Sequence, residues 1–230
     1  MMTLSLTCVG AEGQQVNLRR VQVSPPGNTS LSAAEHEGLL DLMGNDNGTK
    51  LNSVYRTSVH GTTYDDLLDS VGDAEPLVFV IRKDQYVFGA FINCGLELPD
   101  DPTDYNGYDC DLWHFSLAGH FPEPTKIEIS RVSQRVRVAG REGTLLLDAK
   151  VMIGRYLLLG VDEDSGRPAA DIRSCYQFTW QRNLPAGYTG ARDNDGGTGV
   201  RNSDGDAFLG GSAYFHADEI EVLHVMGNSR

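Results

Sequence analysis

Apolar and polar residues change period along this chain, and each change marks an element. Leu4 to Val9 and Val16 to Val23 alternate, which predicts a short hairpin with Gly10 to Gly13 as its turn. Ser32-Ala33-Ala34-Glu35 has the residue types of a capping box. Leu39, Leu40 and Met43 continue it as a helical stripe, and Gly44 stops it. Leu51 to Ser58 alternates around Val54 and Tyr55 and reads as a strand. Thr62 or Thr63 opens a second helix, with Asp65 and Asp66 three residues on and Tyr64, Leu67, Leu68 and Val71 as its stripe. Gly72 ends that helix in a left-handed conformation.

A buried hairpin follows: Leu77 to Arg82, a turn at Lys83-Asp84-Gln85, and Tyr86 to Ile92. Residues 93 to 110 read as an acidic loop. Further strands are expected at Leu112 to Leu117, Lys126 to Ile129, Arg131 to Val138, Thr144 to Asp148, Met152 to Val161 and Ser174 to Phe178. Phe215 to Val225 closes the chain. Val78, Val80, Phe88, Phe115, Leu158 and Phe178 are the expected core. Two helices near the front, many short strands and no strand–helix alternation predict an α+β, mainly β, antiparallel fold.

At 230 residues the chain is long enough for one domain with an arm. Pro25-Pro26-Gly27 is the best linker, which divides a strand arm at 1–27 from a domain at 28–230. Asp193 to Gly199 and Asn202 to Asp206 are polar and glycine-rich, so about 185–212 reads as a surface insertion. The net charge of −13 argues against a nucleic-acid or anionic-membrane partner. One face of Arg131 to Val138 is nevertheless basic and suits a carboxylate-rich partner or an ordinary wet sheet face.

The 4 cysteines are widely spaced and form no Cys-x-x-Cys pair. They read as reduced, unpaired thiols of a cytoplasmic protein without a zinc site. No run reaches the length of a membrane span, and none reads as a secretion signal. Asp193, Asp195, Asp204 and Asp206 resemble calcium ligands by type. The glutamate and flanking helices of an EF-hand loop are missing, so no metal and no cofactor are expected. His60, His114 and Glu221 are the acid/base candidates, but no nucleophile elbow or phosphate loop accompanies them. Cys175 lacks a basic neighbour and reads as a structural thiol.

Tyr55, then Ser58, His60 and Gly61, then Leu77 to Ile81, then Val87-Phe88-Gly89-Ala90-Phe91 occur in one order. That order resembles the TLDc domain. The likeness extends upstream to Ser32 and Glu35. Downstream it runs through Leu112 to Leu117, Cys175, Phe178, Asn183-Leu184 and Ile220-Glu221-Val222, with Leu223 where the family has tryptophan. It spans about 31–226 and is looser after Leu117. It implies a two-sheet antiparallel β-sandwich flanked by two helices. It also implies a non-enzymatic protein-interaction module linked to oxidative-stress protection and to regulation of the vacuolar-type proton-pumping ATPase. Ser58, His60, Gly61 and Glu221 are the candidate partner contacts, beside the 93–110 loop. The alternatives are a hydrolase-like enzyme and a calcium-dependent scaffold.

Overall fold

A computed structural model describes residues 8–9, 15–16, 27–44, 48–145, 148–161, 171–190, 192–193 and 205–227. Of the expected first hairpin, β1 (Cys8–Val9) and β2 (Gln15–Val16) pair antiparallel. The rest of Leu4 to Val23, and Pro25-Pro26, lie outside the described residues.

Two antiparallel sheets of six strands carry the domain. The first contains β3 (Lys50–Arg56), β4 (Leu77–Lys83), β5 (Tyr86–Ile92), β7 (Leu112–Ala118), β8 (Thr125–Glu128) and β16 (Glu219–Met226). Its order is β3-β16-β4-β5-β7-β8. The second contains β6 (Tyr105–Asp109), β9 (Arg135–Ala139), β10 (Val151–Ile153), β11 (Leu157–Leu159), β12 (Ser174–Gln177) and β15 (Tyr214–His216). Its order is β15-β12-β11-β10-β9-β6. A small ribbon joins β13 (Arg192–Asp193) to β14 (Asp206–Ala207).

Strand alternation explains the layers. Leu77, Phe79 and Ile81 of β4 enter the main core with Tyr55, Phe88 and Ile92, against Val136, Val138, Val151, Ile153 and Leu159 of the second sheet. Val78 and Val80 point the other way, into a second cluster with Leu39, Leu40 and Phe115. The unbroken apolar run Leu77 to Ile81 is thus a strand buried on both faces. The six expected core residues lie inside, with Phe178 half-buried.

The helix calculus of the sequence holds locally. Ser32 and Glu35 close a reciprocal capping box on α1 (Ala33–Leu42), and Thr63 and Asp66 do the same on α3 (Tyr64–Val71). A third helix was not expected: α2 (Thr57–His60) takes the end of the run read as strand. The strand stops at Arg56 because Glu219 draws the Thr57 hydroxyl and the Ser58 amide into a turn.

Other expectations need correction. Arg131–Ser133 is a 3-10 turn, closed by Ser133 N donating to Ser130 O at 2.8 Å, so the strand begins only at Arg135. Thr144 and Leu145 pair in no strand, and 146–147 lie outside the described residues. Met152 to Val161 is a hairpin, turned by Gly154 and Arg155 at φ +63° and +66°. The 93–110 loop contains a strand, β6, and residues 205–210 of the expected surface insertion are largely buried, with Leu209 in the core.

The cysteines were expected unpaired, but Cys94 and Cys110 form a disulfide, with Cα atoms 6.2 Å apart. Pairing places Ile92 opposite Leu112, and Asn93 N donates to Asp111 O. Two residues further along, the same register brings Cys94 opposite Cys110. Cys175 is free and buried.

Candidate docking site at the turn after the third strand

The turn is built from its backbone outward. Arg56 at the end of β3 stands opposite Glu221 of β16. Thr57 is buried; its hydroxyl donates to Glu219 Oε1 at 2.6 Å and accepts from Ile220 N at 3.1 Å. Ser58 N donates to the same carboxylate oxygen at 3.0 Å, and Arg56 Nη2 lies 3.6 Å from Oε2. Burial alone would push the Glu219 carboxyl up. The hydrogen bonds from Ser58 and Thr57 and the Arg56 charge outweigh it, and the net shift is downward. The carboxylate therefore stays charged and clamps the helical turn.

Beyond the clamp, Ser58, Val59 and His60 face solvent, Val59 at 65% exposure. His60 Nδ1 accepts the Arg56 amide at 2.9 Å, and its ring stacks against Tyr55 at 5.9 Å. The Tyr55 hydroxyl donates to Gly61 O at 2.9 Å, so the base of the turn is pinned from inside. Gly61 has φ +108°, and a Cβ there would stand 2.2 Å from Asp66 Oδ2. Only glycine meets both conditions, while Asp66 caps α3.

Ser58, His60 and Gly61 are thus brought together on one rigid, exposed turn. Glu221 is not part of that surface. It is fully buried, and its Oε2 accepts from Thr29 Oγ1 at 3.1 Å, Ser30 N at 2.8 Å and Ser30 Oγ at 2.5 Å. Its Oε1 has no partner among the described residues. The carboxylate holds the lead-in to α1 instead of facing outward. Arg56 Nη1 donates to Asn28 O at 3.1 Å, and Arg82 reaches Ser30 O and Glu35, so the same segment is tied from three sides. Sequence reasoning missed Thr57 and Glu219, although an acid two positions before Glu221 lies on the same strand face.

The other candidate residues lie apart from this turn. His114 is 1% exposed, its Nε2 is unpartnered among the described residues, and burial holds its pKa down at about 4, against a smaller upward effect of the Ile153 backbone. Burial pushes the Cys175 thiol far up, which removes the thiolate a nucleophile needs. Among the described residues no three His, Cys, Asp or Glu side chains are placed to hold a metal. Of the calcium-type aspartates, Asp195 and Asp204 lie outside the described residues, and Asp206 is buried in a strand paired with Asp193. No described helix is long and apolar enough to cross a membrane.

Residues 31–134 match the family model of the TLDc domain. Over that stretch, a little under half of the chain, the sequence is similar to the TLDc domain. The matched TLDc region runs from α1 through β8 to the 3-10 turn, and so contains the Thr57–Gly61 turn and its Tyr55 support. Glu219 and Glu221 lie beyond it on β16. No curated protein matches the chain.

Proposed function

We propose that this chain is a non-enzymatic regulatory binding module of the TLDc type, linked to oxidative-stress protection and to regulation of the vacuolar-type proton-pumping ATPase. The observation that carries the reading is the turn itself. Ser58, Val59 and His60 are presented to solvent by a scaffold of Glu219, Tyr55 and Gly61 that leaves them little freedom. A rigid, exposed turn binds without a large ordering penalty. Cytoplasmic placement belongs to the same proposal, and there the Cys94–Cys110 bond would mark an oxidised form of the protein.

Co-purification with the soluble sector of the pump tests this. Wild type is expected to be retained, and His60→Ala combined with Val59→Asp to reduce retention roughly tenfold, about 1.4 kcal/mol. Absence of wild-type retention at both low and physiological salt would remove the pump from the proposal.

A further inference from the structure

The outer face of the second sheet carries a cationic depression that the turn does not use. Val136 and Val138 point into the main core, so Arg135 and Arg137 leave β9 on the opposite face. Met152 stands opposite Arg137 in register, and Arg155 comes from the β10–β11 turn. With Val132, which is 87% exposed, these residues line a shallow cavity of about 160 Å³. Arg137 and Arg155 have no ion pair or hydrogen bond among the described residues. Arg135 meets Asp109 at 3.6 Å, but that carboxylate is 90% exposed, so the pair is weak.

Arg155 adds an independent observation. It holds φ +66° in a tight turn, a left-handed conformation that disfavours L-residues other than glycine, asparagine or aspartate. A backbone position suited to glycine is occupied by a guanidinium that reaches the depression. Such an outlier points to a selected side chain. Three arginines converging on one apolar floor, in a chain of net charge −13, are a local reversal of sign.

We propose that this depression docks a short acidic segment of a partner protein. Its carboxylates meet the guanidinium forks of Arg135, Arg137 and Arg155, and an apolar side chain of the segment covers Val132 and Met152. The planar fork matches a carboxylate through two parallel hydrogen bonds. The length of the ligand follows from screening. At physiological salt the Debye length is about 8 Å, so a short segment feels the arginines and little of the surrounding negative charge. An extended nucleic acid or a flat anionic membrane would meet that negative charge over its whole contact. This surface lies on the other sheet from the Thr57–Gly61 turn, so the two docking readings succeed or fail separately.

Fluorescence anisotropy with the intact protein tests the proposal, using a labelled peptide of alternating glutamates and leucines as probe. Wild type is expected to bind it with a dissociation constant of about 10–100 μM at low salt. Arg137→Glu with Arg155→Glu should weaken binding at least roughly tenfold. Lys50→Glu, at the exposed start of β3, should leave it unchanged. Arg155→Gly provides the variant that cannot fail through misfolding, since glycine suits the turn, and it should weaken binding severalfold. No binding by wild type, equal binding by the reversed variant, or unchanged binding by Arg155→Gly would each overturn the proposal. So would tighter capture by phosphatidylserine vesicles or polyphosphate than by the peptide, or arginine-dependent self-association of the protein in place of peptide binding.

Discussion

Glu219 and Glu221 project from one face of β16, and each organises a segment distant in sequence. Glu219 gathers Thr57 and Ser58, 162 and 161 positions away, while Glu221 gathers Ser30, 191 positions away. Both residues are acidic by sequence, and neither role is local, so the sequence shows the charge and hides the direction in which it works. Removing a charged acceptor leaves donors without partners at about 1–3 kcal/mol each. Glu221→Ala strands the Ser30 amide and hydroxyl beneath a fully buried site, so it is expected to lose on the order of 3 kcal/mol in chemical denaturation. Glu219→Ala should lose about 1–2 kcal/mol, because its carboxylate is nearer to water. A Glu221→Ala protein that unfolds at the wild-type midpoint would mean that the carboxylate does not secure the lead-in to α1.

Among the elements, the legible ones are those specified within a few residues. The capping boxes Ser32/Glu35 and Thr63/Asp66 are each complete within three positions, and both helices start where the residue types place them. The hairpin of β4 and β5 follows from its apolar runs and the turn at Asp84, whose φ is +50°. The glycine of Val87-Phe88-Gly89 also acquires a cause: a Cβ at Gly89 would stand 1.8 Å from Phe79 O of the neighbouring strand. What stayed hidden depends on register between strands. The Cys94–Cys110 bond becomes visible only once β5 is set beside β7, and β6 only once it is set beside β9. Cysteine spacing alone could not show the bond, since 16 positions separate the two. Alkylation followed by mass measurement decides the bond: reduction should add two labelled sites, in the peptides of Cys94 and Cys110. Closing a loop of that length is worth roughly 3 kcal/mol in the chain-entropy picture, so the reduced protein should also unfold at lower denaturant. Equal labelling with and without reductant would return both cysteines to the thiol state expected from the sequence.

At the scale of the whole molecule, the mainly β, antiparallel class was legible from the short strands and two early helices, while the two-sheet sandwich came from the TLDc resemblance. Its consequences for acid stability were not legible, because they depend on which histidines the two sheets enclose. His114 lies between them, against Tyr156, with its pKa held at about 4. Burial also lowers the pKa values of His36 and His120. In the unfolded chain a histidine binds its proton near pH 6.5, so below that value protonation favours the unfolded state. The stability contributed by keeping His114 neutral is therefore intact above about pH 6.5 and is lost as the pH falls toward 4. A shift of that size corresponds to roughly 3 kcal/mol at the acid end. Glu35 and Glu219, both lowered, extend the loss through and below their ordinary range near 4.5. The net charge of −13 acts in the opposite sense, since self-repulsion weakens as carboxylates protonate toward the pI of about 4.7. That general term is shared by wild type and His114→Leu, so the difference between their unfolding free energies isolates the histidine. The difference should move in favour of the variant between pH 7 and pH 4.5, whatever its value at neutral pH. Parallel pH profiles for the two proteins would show that His114 exchanges its proton in the folded state as readily as in the unfolded one.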